Sequence, residues 1–308
     1  MLKKKRVQLF HKYFEEWIEL YKVGSIRSIT LEKYYMSLQW VTKLAPDLKL
    51  GDLDRRSYQT LLNMYAEDHE KQTTMDFHHQ IKGAILDAVD EGILTQNPTR
   101  KVIIKGKSPR DKKPKFLNQH EIQLLLRELD LKPELNWDWF ILLVTKTGLR
   151  FSEALALTPN DFDFFNQKIN ITKTWNYRES IGGFQPTKNT SSVRNIQIDW
   201  QLAMQFSQLV RELDKDKPIF VKKRVFNSTI NNRLKVLCTN ANVPVITVHS
   251  LRHTHASLLL FAGVSIASVA KRLGHSSMTT TQETYLHIIH ELENQDNDKI
   301  MRHLAALV

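Results

Sequence analysis

Residues 105–115 read KGKSPRDKKPK, a stretch with two prolines, six cations and no side chain that a hydrophobic core could use. Neither a helix face nor a strand face can run through such a segment, so it splits the sequence into two separately patterned blocks. The division expected from it is a first domain over 1–104, a basic linker over 105–115 and a second domain over 116–308. A length of 308 residues fits two domains at roughly 100–200 residues each.

The first block is helical by pattern. Phe10, Phe14, Trp17 and Tyr21 recur at helical spacing, as do Leu31, Tyr34, Leu38 and Val41. Tyr58, Leu61, Leu62 and Tyr65 form a third stripe, and Phe77, Ile81, Ala84 and Ala88 a fourth. Gly92 and the Asn97-Pro98 pair end the block. In the second block, Asn118 with Glu121 three residues on predicts a capped helix start, and Ile122, Leu125 and Leu129 supply its apolar face. Ile169 and Ile171 alternate with polar neighbours, as do Ile196 and Ile198, which predicts a β-hairpin or small sheet edge around Gly182-Gly183 and Pro186. From Gln201 to Val308 the pattern is again helical, broken at Pro218, Pro244, Gly263 and Gly274. The predicted class is mainly α with a small β-sheet, an α+β second domain behind a helical first one.

At 42% hydrophobic and 25% charged, the composition excludes a disordered chain. A formal net charge of +11 and a pI near 9.5 give the fold a field that attracts polyanions, with nucleic acid the first partner to consider. The single cysteine, Cys238, excludes an internal disulfide framework and reads as a small core residue in a reducing compartment. The basic start, Met1 to Arg6, leads into an amphipathic pattern, so neither a signal peptide nor a membrane span is expected, and a cytoplasmic protein is.

Three segments of the second block share one chemical theme. TGLRFSEALAL (Thr147 to Leu157), HSLRHTHAS (His249 to Ser257) and LGHSSMTTTQETYLH (Leu273 to His287) carry side chains that grip a phosphate and end on a tyrosine. PTKNTSSVRNIQI (Pro186 to Ile198) lies between the first two. In this order, Arg, Lys, His-x-x-Arg, His and Tyr, the sequence resembles the tyrosine recombinase and phage integrase family. The phrases LRHTHAS, LGHSS and TYLH are most similar to integrases of phages and conjugative transposons in Gram-positive bacteria. The resemblance spans the whole second domain, and the helical first block is similar to the family's SAM-like core-binding domain.

The resemblance assigns catalytic parts to Arg150, Lys188, His249, Arg252, His275 and Tyr285. Two guanidiniums, Arg150 and Arg252, straddle the nonbridging oxygens and stabilise a pentacoordinate phosphorus, so the chemistry needs no metal or other cofactor. Lys188 is the general acid for the leaving 5′-oxygen, with Lys173 on the preceding strand as its rival. His249 assists proton transfer from the nucleophile and His275 donates to a phosphate oxygen. Tyr285 is the nucleophile, a phenol that at an ordinary pKa of about 10 needs a base and a positive pocket. Glu153, three residues after Arg150, is a supporting residue that orients that arginine or a nearby histidine. His253 and His255 read as structural histidines. A zinc site built from His249, His253 and His255 is disfavoured, since no Cys-x-x-Cys or His-Glu-x-x-His accompanies them.

By the same resemblance, the expected function is site-specific integration or excision of a mobile element through a 3′-phosphotyrosine. The partners are double-stranded DNA attachment sites, a homotetramer on two sites, and host or element-encoded DNA-bending proteins, with no membrane. An apolar stripe of Ile300, Leu304, Leu307 and Val308 is expected to dock on its own domain or on a neighbouring subunit. A chromosome-dimer resolvase of the Xer kind, a type IB topoisomerase and a non-catalytic DNA-binding protein of the same fold are the alternatives. An N-terminal arm-binding domain has no room before the first helical stripe, so it is either naturally lacking or truncated.

Overall fold

The computed structural model describes residues 2–108, 115–179, 181–285 and 304, with side chains from Lys5 onward. The chain divides into two compact units, Met1–Asp111 and Lys112–Val308.

In the first unit the apolar stripes become helices α2 (Phe10–Tyr21), α3 (Ser28–Leu44), α4 (Arg55–Ala66) and α5 (Lys71–Asp90). A short helix α1 (Leu2–Val7) precedes them, where the sequence shows only a basic start. Phe10, Phe14, Ile18, Tyr58, Leu61, Phe77, Ile81 and Ala84 form one core, each large side chain contributing about 1.5–3 kcal/mol on burial. Polar groups inside it are matched: the Tyr58 hydroxyl lies 2.8 Å from Nδ1 of the buried His78. Burial pushes His78 down to about 4. The stretch read as linker begins on this unit, since the backbone N–H of Lys107 donates to the His69 carbonyl at 2.8 Å.

The second unit opens on α6 (Gln119–Arg127). Its start is the predicted capping box, with Asn118 Oδ1 accepting from the Glu121 N–H at 2.9 Å and Glu121 Oε2 from the Asn118 N–H at 2.8 Å. Helix α7 (Trp137–Thr147) is capped by Asn136 and buried from Asp138 to Thr145, so the other elements pack around it. Its buried Asp138 accepts two bonds from Arg233, at 2.7 and 2.6 Å. Gly148, at φ 68°, ends α7 and turns the chain into the short helix α8 (Phe151–Leu155).

Strands β1 (Phe162–Asp163) and β2 (Lys168–Ile171) follow, then β3 (Lys173–Trp175), β4 (Phe184–Pro186) and β5 (Arg194–Gln197). The predicted partners do pair, Ile169 opposite Ile196, in an antiparallel sheet of order β1-β2-β5. Between them the chain makes a second, separate hairpin of β3 and β4, so the expected single hairpin is two sheets. Helices α9 (Trp200–Leu209), α10 (Asn227–Asn240), α11 (Val248–Phe261), α12 (Ile266–Leu273) and α13 (Met278–Thr284) complete the unit. Cys238 is buried in the core, as read. Of the expected C-terminal stripe, Ile300, Leu307 and Val308 lie outside the described residues, and Leu304 is exposed. No helix among the described residues is long and apolar enough to cross a membrane.

Candidate active site

Arg150 stands at the entry to α8, where Glu153 caps the helix by accepting the Arg150 backbone N–H at 3.0 Å. The Arg150 guanidinium donates to Glu153 Oε1 at 2.6 Å, to Ser192 Oγ at 3.4 Å and to the Gly274 carbonyl at 2.9 Å. Its side chain stays 30% exposed, so a charged face remains open while one edge is fixed. Arg252, on α11, is almost fully buried and donates to the Gly148 carbonyl at 2.6 Å and the Leu273 carbonyl at 2.7 Å. Two guanidiniums from segments far apart in sequence are thus tied to consecutive carbonyls, Leu273 and Gly274, immediately before His275. Burial, then the charge of Arg150, pushes Arg252 down to about 9, which leaves it cationic at neutral pH.

Glu153 is the anion that makes this crowding tolerable. It is 1% exposed and takes a bidentate pair from Arg194, at 2.9 and 3.2 Å, besides the Arg150 bond. Burial works to raise its carboxyl, but the hydrogen bonds and charges of Arg194 and Arg150 prevail and hold it at about 2. Arg194 was not among the sequence candidates. Its side chain is 5% exposed, and its Nε donates to the Arg272 carbonyl at 2.6 Å. The signal for it lies in the strand period: Arg194 shares a face with the buried Ile196 and Ile198, and a cation on an inward face calls for a buried carboxylate.

Gly274, at φ 69°, ends α12 and puts His275 beside these arginines. A Cβ there would lie 2.9 Å from Arg194 Nη1, so any other residue would strain the turn and push that guanidinium off its place. His275 Nδ1 shares a 2.6 Å hydrogen bond with Thr281 Oγ1. Burial and then the charges of Arg252, Arg150 and Arg194 push it down to about 4, so the ring is neutral at pH 7.

Tyr285 closes α13 and is 2% exposed, its ring packed with Ala256, Leu260, Val269 and Leu273. Its hydroxyl lies 2.9 Å from Nδ1 of His253. His253, read from the sequence as structural, is thus the histidine whose ring meets the tyrosine. His249, expected beside Tyr285, is exposed and instead sets its ring edge-on to His253, centroids 4.8 Å apart. Surrounding protein, Arg252 and Arg150 push His249 down from its ordinary value. Desolvation raises the Tyr285 phenol to about 12 although Arg252 acts against it. His255 is structural: Nδ1 lies 2.9 Å from the Thr145 carbonyl and Nε2 accepts from Arg272 Nε at 2.9 Å.

Lys188 is exposed on the segment linking β4 to β5, rather than at the tip of a hairpin, and the Thr190–Ser192 turn follows it. Ser192 Oγ ties that turn down, donating to Asn189 Oδ1 at 2.5 Å and accepting from Arg150. The rival Lys173 is engaged elsewhere, donating to both oxygens of Asp161 at 2.7 and 2.6 Å. Among the described residues, no group of three His, Cys, Asp or Glu could hold a metal ion. The arrangement can seat an anion between guanidiniums and bring a phenol with a neutral imidazole to its edge.

Residues 115–291 match the family described as the phage integrase family. The integrase of Staphylococcus phage L54a is 25% identical across 94% of this chain and 92% of its own. The transposase of transposon Tn916 from Enterococcus faecalis is 24% identical across 98% of this chain and 76% of its own. Among solved structures, the integrase of transposon Tn1549 in complex with a circular intermediate DNA superposes with a TM-score of 0.77 at 18% identity, covering 90% of this chain and 94% of that one. A lambda integrase dimer bound to a core site gives 0.64 at 16% identity, covering 89% and 94%. With the order of its motifs and more than half its length matched, the chain belongs to the phage integrase family and is a tyrosine-type site-specific recombinase.

Proposed function

We propose that this recombinase acts on double-stranded DNA attachment sites with Tyr285 as nucleophile, integrating or excising a mobile element as a homotetramer on two sites. The observation that carries the reading is the pair of guanidiniums, Arg150 and Arg252, fixed to adjacent carbonyls beside His275, with the buried Tyr285 hydroxyl 2.9 Å from Nδ1 of His253, the residue next to Arg252. Among the described residues both arginines retain N–H groups without a protein acceptor, enough to hold the nonbridging oxygens of one phosphate. Tyr285 attacks the phosphorus and the 5′-oxygen leaves, taking a proton from Lys188. The 3′-phosphotyrosine keeps the energy of the diester, so a 5′-hydroxyl from a partner strand reverses the step without ATP. His275 donates to a phosphate oxygen, and Glu153 positions Arg150. The part of His249 in proton transfer is indirect, since His253 stands between it and the phenol. Accessory DNA-bending proteins and a cytoplasmic, nucleoid-associated location accompany this reading.

The test pairs two variants on a nicked suicide substrate. Tyr285→Phe should bind DNA yet trap no covalent adduct on a denaturing gel. Lys188→Ala should be nearly inactive on ordinary DNA. A substrate with sulfur in place of the bridging 5′-oxygen has a leaving group of pKa about 8.5 that departs unassisted. It should restore cleavage by Lys188→Ala and leave Tyr285→Phe inactive. Adduct formation by Tyr285→Phe would overturn the proposal, and failure of sulfur to rescue Lys188→Ala would remove Lys188 as the acid.

A further inference from the structure

We infer that His253 is a catalytic residue, the group that takes the phenolic proton from Tyr285 as it attacks; the inference rests on Tyr285 being the nucleophile. The geometry is direct. Nδ1 of His253 lies 2.9 Å from the Tyr285 hydroxyl, within the reach required of a general base, and the two rings are tilted at 58° with centroids 5.8 Å apart. The buried residues clustered with Tyr285, Ala256, Leu260, Val269 and Leu273, are apolar, and among the described residues the hydroxyl's hydrogen bond is to His253. His249 makes no hydrogen bond to it. Spaced four residues apart on α11, the two histidines share a helix face, and His249 touches the ring of His253.

The groups around His253 favour its neutral, accepting form. On its own helix stand His249 and Arg252, from the segment before α6 comes Lys115, and His275 faces it from the turn before α13. Burial, with the charges of His249, Arg252 and Lys115, holds His253 at about 4, so its ring is unprotonated over the whole neutral range. In the free protein the proton stays on the phenol, which burial keeps at about 12. A DNA phosphate between the arginines offsets their charge at His253 and makes the ring more basic at the moment when the phenol oxygen becomes less so. In the step itself, the bond from Tyr285 Oη to phosphorus forms and the bond from phosphorus to the 5′-oxygen breaks. The phenolic proton passes to His253 Nδ1, and the 5′-oxygen receives its proton from Lys188. On rejoining, the 5′-hydroxyl returns a proton to Lys188 and His253 returns one to Tyr285, so each turnover ends with the enzyme in its starting state.

The experiment measures adduct formation on the suicide substrate from pH 6 to 9 for the full chain, His253→Asn, His249→Asn and Tyr285→Phe, with DNA binding by mobility shift as the control. An asparagine amide can hydrogen-bond the phenol and preserve its placement but cannot take its proton. His253→Asn should bind DNA normally, lose ~100-fold or more in cleavage at pH 7, and regain about tenfold per pH unit as solvent ionises the phenol. Trifluorotyrosine at position 285, a more acidic phenol, should restore most of the loss in His253→Asn. His249→Asn should be slowed without acquiring that pH slope. His253→Gln, whose longer amide reaches the same hydroxyl, serves as the second variant if the asparagine lowers DNA binding. Cleavage by the His253 variants within about threefold of the unaltered chain, with an unchanged pH profile, would overturn the inference. So would the slope appearing in His249→Asn instead. Adduct formation by Tyr285→Phe would overturn the nucleophile itself, a distinct result.

Discussion

Replacing Glu153 with glutamine removes one charge from a cluster in which two guanidiniums, Arg150 and Arg194, share a single buried carboxylate. A carboxyl held at about 2 against its ordinary 4.5 favours the charged form by ~3 kcal/mol at neutral pH, at about 1.36 kcal/mol per tenfold in proton affinity. Taking away one partner of a buried pair costs about 3–5 kcal/mol, because the other charge stays behind without compensation. Both routes give the same size of effect, and Arg194, 5% exposed, is the charge left stranded. Urea unfolding of Glu153→Gln should therefore show the transition of the 112–308 unit destabilised by about 3–5 kcal/mol at pH 7. The pH dependence fixes the cause. A depressed carboxyl stabilises the fold fully above about 4.5 and loses that contribution as pH falls towards 2, so the gap between the two proteins should close over that window. Glu153→Gln combined with Arg194→Met should recover most of the stability, since an apolar pair leaves no buried charge. A loss below about 1 kcal/mol at pH 7, or a gap unchanged between pH 6 and 2, would refute this account of the cluster.

The first unit carries its own acid sensitivity: His78 is held neutral by burial, at about 4 against an ordinary 6.5, so its stabilisation is complete above about 6.5 and declines as pH falls towards 4. The melting temperature of the 1–111 transition should drop over that range, and His78→Gln should flatten the profile. Gly148→Ala places a Cβ 2.6 Å from Cδ2 of His255 at φ 68°, a strain of roughly 2 kcal/mol or more; calorimetry should show the second unit melting about 4–8 °C lower.

Much of this architecture is legible in the residues themselves. The four apolar stripes of the first block each became a helix, because amphipathic spacing of this strength leaves one way to bury Phe10, Tyr58 and Phe77 together. The box at Asn118 and Glu121 is legible for the same local reason, as two side chains three residues apart satisfy each other's backbone. Long-range chemistry is harder to read. Arg150 and Glu153 are neighbours on a helix, but the second partner of Glu153 lies 41 residues away on β5, and only sheet register brings it in. His253 was passed over because proximity to a motif arginine does not say which of two histidines on one helix face meets a tyrosine that arrives from α13. The extra β3–β4 hairpin was missed because its strands are short and largely exposed, with no alternation to mark them.

Arg252 donates to Gly148 and Leu273, and Arg150 to Gly274, so each guanidinium proposed to hold the phosphate is also a tie-bar between chain segments more than a hundred residues, or in one case 21 residues, apart. A lysine keeps the charge but offers its donors from a single point, and cannot hold two separated carbonyls while facing a phosphate. Attempts to weaken this enzyme by exchanging arginine for lysine therefore alter its scaffold together with its chemistry. Lys188 differs in this respect, because its exposed side chain binds no described residue and can be changed without untying the fold.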